Sequence, residues 1–280
     1  MGRNFGKCAL CGKECELTFE HIPPRAAYNS ERARPVLGKI LLSKEVLQFE
    51  NRMPWDTTGL QYQNQQKGMG MFSLCADCNN NTGSWYGDAF VEFAKRANVA
   101  MHKYPVEEDG QVVLCDLYPL RIIKQILSMF CSINGAKCKE LEPIREFVLN
   151  RDAVGLDKSK FKLSMYFTKS DLIKYAGFTC LIKDMFENPK AIWVSEITAY
   201  PFGFLLYLNP TADWEYKGTD MMACAEMGYD ETKNIVIPWK IEEMNDFFPE
   251  FFRSKDEIRQ CIEENRKWVE EHELQTQTME

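Results

Sequence analysis

CALC at residues 8–11, LTFEHIPPRA at 17–26 and SLCADCNNNTG at 73–83 decide how this chain folds. Cys8 with Cys11, and Cys75 with Cys78, are two C-x2-C pairs. Two such pairs supply the four thiolates of a closed tetrahedral zinc site. Gly6 and Gly12 flank the first pair and permit the tight turns of a zinc knuckle. A closed site does no chemistry of its own; it fixes what lies between its halves. Between them lies Glu20-His21, and His21 is one of only three histidines in the chain. Cys15, four residues past Cys11, is a competing ligand.

Working outward, ELTFE (16–20) alternates in character and predicts a strand. Proline cannot donate to a ladder, so Pro23-Pro24 ends that strand just after His21-Ile22. Glu20 and His21 then sit at a strand end, where side chains reach a cleft. GMGMFSLC (68–75) predicts a second strand running into the second knuckle. A helix follows, with Thr82 or Ser84 as N-cap and Trp85, Phe90, Val91, Phe93 and Ala94 on its apolar face. Residues 26–68 form a long excursion, with a short helix or strand over 39–49 and a polar loop at QYQNQQKG (61–68). The order is knuckle, strand, long loop, strand, knuckle, helix: a ββα unit clamped by zinc.

These motifs, over about residues 8–100, resemble the zinc-clamped HNH endonucleases. The resemblance implies an α+β chain: an N-terminal HNH ββα-metal unit with a four-cysteine zinc site, then a mixed α+β C-terminal domain. It implies that His21 is the general base that activates water, since an imidazole titrates near neutrality, at about 6.5. It also implies that Glu20 and Asn79 hold a catalytic Mg²⁺ or Mn²⁺, hard cations that prefer oxygen. Successive side chains on a strand point to opposite faces, so Glu20 and His21 serve one site only if the strand ends or twists there. One position departs from the family pattern. The family's middle Asn, about five positions before the second cysteine pair, corresponds here to Gly70. In the family that Asn holds the loop bearing the catalytic histidine; Asn64, Asn80 and Asn81 are the candidate substitutes.

Composition narrows the setting. A length of 280 residues allows one or two domains, and a change of character near 105–110 divides 1–104 from 110–280. No run of about 18 apolar residues predicts a membrane span, and the N-terminus lacks a signal-peptide apolar region. Eleven cysteines, an odd number, suit a reducing compartment, so the expected location is cytoplasmic. Net charge is −7, but residues 1–104 carry 13 Lys+Arg against 10 Asp+Glu, whereas the remainder carries 21 against 31. The acidity is therefore C-terminal, and any phosphate contact must be local. Arg25 and Lys67 are the candidates nearest His21, followed by Arg32, Arg34, Lys39, Lys95, Arg96 and Lys103. Trp85 and Tyr86 are candidate base-stacking rings, although their spacing favours the core.

Beyond residue 110 no catalytic motif stands out. YPLRIIKQILSMFCSIN (118–134) predicts an apolar helix with Pro119 in its first turn, and KELEPIREFVLN a second. Short β-branched and aromatic runs follow from residue 161, then a charged amphipathic helix over 254–273 and an unstructured LQTQTME tail. Substrate recognition, oligomerisation and partner docking are the roles open to this half. The sequence thus predicts a metal-dependent endonuclease acting on DNA, with RNA also within reach of the chemistry, in phage defence, restriction or a mobile element. The alternative is a zinc-stabilised module that binds nucleic acid or protein without cleaving.

Overall fold

A computed structural model of the chain describes residues 4–43, 52–63, 67–105, 110–184 and 188–277. Strands β1 (Phe5–Lys7) and β2 (Glu14–His21) form an antiparallel hairpin around the first cysteine pair. Strand β3 (Gly70–Cys75) pairs with the other edge of β2 and places Gly70 opposite His21. β2 does end at His21, where the prolines predict it should. Of the 39–49 segment the structure describes α1 (Gly38–Leu41); residues 44–51 and Asn64 lie outside the described residues.

Cys75 leads directly into α2 (Ala76–Thr82), which continues through a π-helical turn (Gly83–Gly87) into α3 (Asp88–Lys103). The N-cap is Cys75, not Thr82 or Ser84. Its Sγ accepts the Cys78 N–H at 3.4 Å, as a hydroxyl oxygen otherwise would. Thr82 lies inside the helix and donates its hydroxyl to the Cys78 carbonyl at 2.9 Å. The second knuckle is thus also the start of the helix.

The remainder is mixed α and β. Strand β4 (Gln111–Leu117) is followed by α4 (Pro119–Asn134) and α5 (Glu142–Leu149). A curled sheet then forms from β5 (Phe161–Thr168), β6 (Lys174–Lys183), β7 (Lys190–Ala199) and β8 (Phe202–Leu208), antiparallel in the order 5-8-7-6. The other edge of β5 takes β9 (Thr219–Asp220) and, in parallel, β11 (Ile241–Glu242); β10 (Lys233–Pro238) pairs with β4. The terminal helix α6 (Lys255–Gln277) runs past Leu274, where the sequence predicts an unstructured tail. Among the described residues no helix is long and apolar enough to cross a membrane.

Helix α4 sits at the centre because it is apolar on nearly every side: Leu120, Ile122, Ile123, Ile126, Leu127 and Phe130 are all fully buried. Each such side chain stabilises the fold by about 2 kcal/mol over its exposed state. The apolar core is continuous, from Cys8 and Ile22 through Phe90 and Phe93 of α3 to Phe202 and Trp239. The Phe93 and Phe202 rings stack at 4.3 Å. Two polar ties join the C-terminal elements to the N-terminal unit. Buried Arg145 of α5 donates to the carbonyls of Ala9 (2.8 Å), Gly135 (2.9 Å) and Cys138 (2.8 Å). Tyr175 of β6 donates its hydroxyl to the carbonyl of Ile22, next to His21. The knuckle and the His21 loop are therefore braced by residues more than a hundred positions away.

Candidate functional site: the four-cysteine cluster and His21

The Sγ atoms of Cys8, Cys11, Cys75 and Cys78 all lie within 4.8 Å of one another, and Cys11 and Cys75 are 3.9 Å apart. Tetrahedral zinc with Zn–S bonds of about 2.3 Å requires sulfurs about 3.8 Å apart, so the cluster fits that ion. All four cysteines are free. The backbone N–H groups of Cys75 and Cys78 donate to the sulfurs of Cys8 (3.3 Å) and Cys75 (3.4 Å), which favours thiolates. Without a cation the four thiols cannot all ionise. The hydrogen bond from the Cys78 thiol holds Cys8 down to about 4, and the same bond, with burial, pushes Cys78 up. A divalent cation removes this conflict. Cys15 stands outside the cluster, with its thiol directed to the Lys13 carbonyl at 3.4 Å. Among the described residues this is the one group of His, Cys, Asp or Glu side chains arranged to hold a metal ion.

The clamp sets the position of His21 at the end of β2, where it is half-buried. Its Nε2 lies 3.1 Å from the Lys67 carbonyl oxygen. A carbonyl only accepts, so Nε2 carries the proton and Nδ1 keeps its lone pair. The Phe19 ring meets the imidazole edge-on at 5.1 Å. Gly68, at φ +92°, closes the other side: a Cβ there would lie 2.8 Å from His21 Cδ2 and 2.3 Å from the Asn29 carbonyl oxygen. The ring is thus fixed in tautomer and in place.

The residue that holds the loop is Asn29, which the sequence reading missed. It is fully buried; its Nδ2 donates to the carbonyls of Pro23 and Met69, both at 2.7 Å, and its Oδ1 accepts the Met69 N–H at 2.6 Å. These bonds tie the segment after His21 to the segment carrying Lys67. Gly70, at the position of the family's middle Asn, can carry no side chain: a Cβ would lie 1.9 Å from the Glu20 carbonyl oxygen. The two strands approach too closely there, and the amide comes from the other side of the loop. Asn80 and Asn81, two candidates for that task, are exposed on α2 and make no such tie. Nothing in the local spacing marks Asn29, which reads as an ordinary turn asparagine after Pro-Pro.

Glu20 departs from its expected place beside His21. β2 keeps its pleat through His21, so the two side chains leave opposite faces. The Glu20 carboxylate is buried and accepts hydroxyl hydrogens from Ser73 of β3 (3.1 Å) and Ser132 of α4. Burial pushes it up to about 7, against the lowering effect of the two hydroxyls. A carboxyl with a raised folded-state pKa stabilises less as pH rises from its unfolded value toward the folded one. Wild type therefore loses about 3 kcal/mol between about pH 4.5 and 7 from this group. Glu20→Gln should lack that slope: urea unfolding at pH 8 should find it more stable than wild type, with the difference vanishing near pH 4. A difference equal at both pH values would contradict this.

Asn79 lies on α2 against β2, where its Nδ2 donates to Thr18 Oγ1 (2.9 Å) and to the Phe19 carbonyl (3.3 Å). Glu20 and Asn79 therefore do not form the pair expected to hold Mg²⁺ or Mn²⁺. Arg25 and the Lys67 side chain are exposed near His21. Tyr86 is fully buried and donates to the Val148 carbonyl, and Trp85 packs against the core, so neither is a stacking platform. Arg96 is engaged with Glu92 and the Cys115 carbonyl. Comparison with protein-family models, curated proteins and solved structures yields no match for this chain.

Proposed function

We propose that this chain hydrolyses phosphodiester bonds in nucleic acid, DNA in the first instance, as an HNH-type endonuclease with His21 as general base. The observation that supports it is the imidazole itself. His21 sits at a strand end, its Nε2–H directed to a backbone carbonyl and its Nδ1 left to take a proton from water. Arg25 and Lys67 are the cations near enough to meet a phosphate. A bound divalent cation would supply charge neutralisation at the phosphate; the residues present offer Asn79 toward it but not Glu20. On this reading residues 1–104 carry the chemistry, and 110–280 brace the His21 loop and meet a partner or the substrate.

One observation favours a second reading. With Glu20 turned into the core, no carboxylate of the EH pair remains beside His21. A zinc-stabilised binding module without cleavage accommodates that. A plasmid-nicking assay with Mg²⁺ or Mn²⁺, run beside a chelated control, separates the two. The nuclease reading expects nicking by wild type and a loss of about a hundredfold or more in His21→Ala. Equal nicking by both proteins would sink the mechanism, and binding without cleavage across DNA and RNA substrates would favour the module.

A further inference from the structure

Helix α6 leaves the body early. Ile258 is buried, whereas Trp268 is 59% and Val269 44% exposed. At 3.6 residues per turn, Ile258, Cys261, Ile262, Trp268 and Val269 fall on one stripe about 120° wide. The stripe begins against the body and continues beyond it into solvent. Exposed apolar side chains repeated at this spacing mark a face that meets another helix.

The charges on either side of the stripe decide what that helix is. Glu257, Glu264 and Glu271 recur every seven residues along one flank. Lys255, Arg259 and Arg266 line the other. Rotating a second copy about a two-fold axis parallel to the helix sets each acidic flank against a basic one. An antiparallel pair would instead set the glutamates against one another. The salt bridges within the helix, Arg259–Asp256 and Arg266–Glu263, are exposed and do not preclude pairing across it.

We propose that α6 pairs in parallel with α6 of a second copy of this chain, through the stripe that ends at Trp268 and Val269. The pairing does not depend on the His21 chemistry, so either can fail without the other. The test is light scattering on the full-length chain from about 1 to 100 µM, the range in which a short helical pair is expected to associate. The expected result is a rise from one chain to two. Trp268→Glu with Val269→Glu should remain single throughout, and since both sites are exposed, far-UV circular dichroism should show the fold intact. Glu264→Arg should weaken pairing about tenfold, and adding Arg266→Glu should restore it. A single chain at every concentration, or a dimer indifferent to the Trp268/Val269 change, would overturn the proposal. Failure of the charge swap to restore pairing would overturn the parallel arrangement.

Discussion

Removing the metal from the four-cysteine site should cost this chain about 5 kcal/mol or more of stability. Structural zinc contributes folding energy directly, and peptide sites of this type gain about 10–16 kcal/mol on binding. Here part of the frame is held independently by Arg145 and the shared core, so the loss is smaller than in an isolated finger. What remains without the ion is a buried thiol cluster whose charges conflict, in the turn that caps α2 and anchors β2. A melting-temperature drop of about 10–20 °C should follow a strong chelator, reversed by added zinc. Cys78→Ser should reproduce the drop, and Cys15→Ser, outside the cluster, should not. Metal analysis should find about one zinc per chain. Equal melting with and without chelator would refute the clamp.

Asn29→Ala should be nearly as damaging and more informative. It removes two donors and one acceptor and leaves the Pro23 carbonyl and both Met69 backbone groups buried without that partner. At about 1–3 kcal/mol for each abandoned buried group, with partial relaxation, the total cost is about 4 kcal/mol. Asn29→Asp keeps the acceptor for the Met69 N–H but loses both donors and buries a charge, so it should be no milder. The stability loss appears in urea unfolding. The loop loss appears in imidazole ¹⁵N shifts: wild type should show His21 held as the Nε2–H tautomer, and the variant a tautomer mixture. A variant with wild-type stability and tautomer would show that Asn29 does not hold the loop.

What was legible in the sequence divides along the length of the interactions involved. The cysteine pairs were legible because ligand spacing within a knuckle is local, and Pro23-Pro24 marked the end of β2 for the same reason. The apolar helix α4 and the runs that became β5 to β8 followed from periodicity. The side of β2 that Glu20 would occupy was not legible. It depends on Ser132, 112 residues away, on a helix whose packing no local pattern specifies. Asn29 was invisible for a related reason: its partner Met69 lies 40 residues on, across the long excursion. Tyr86 looked available for stacking only until its hydroxyl met the Val148 carbonyl. The helix cap was misplaced because a sulfur, not a hydroxyl, serves it.

These corrections move the chemistry from a Glu20-His21 pair to His21 alone, held by the Lys67 carbonyl, the Phe19 ring and the Asn29 clamp. Glu20 becomes a buried joint between β2, β3 and α4. The most direct measurement compares initial cleavage rates of wild type, Glu20→Gln and His21→Ala on one supercoiled plasmid with Mn²⁺. The structure predicts that Glu20→Gln keeps its rate within a few fold while His21→Ala loses about a hundredfold or more. A loss in Glu20→Gln as deep as that in His21→Ala would mean that this carboxylate does reach the reacting phosphate, contrary to the assignment made here.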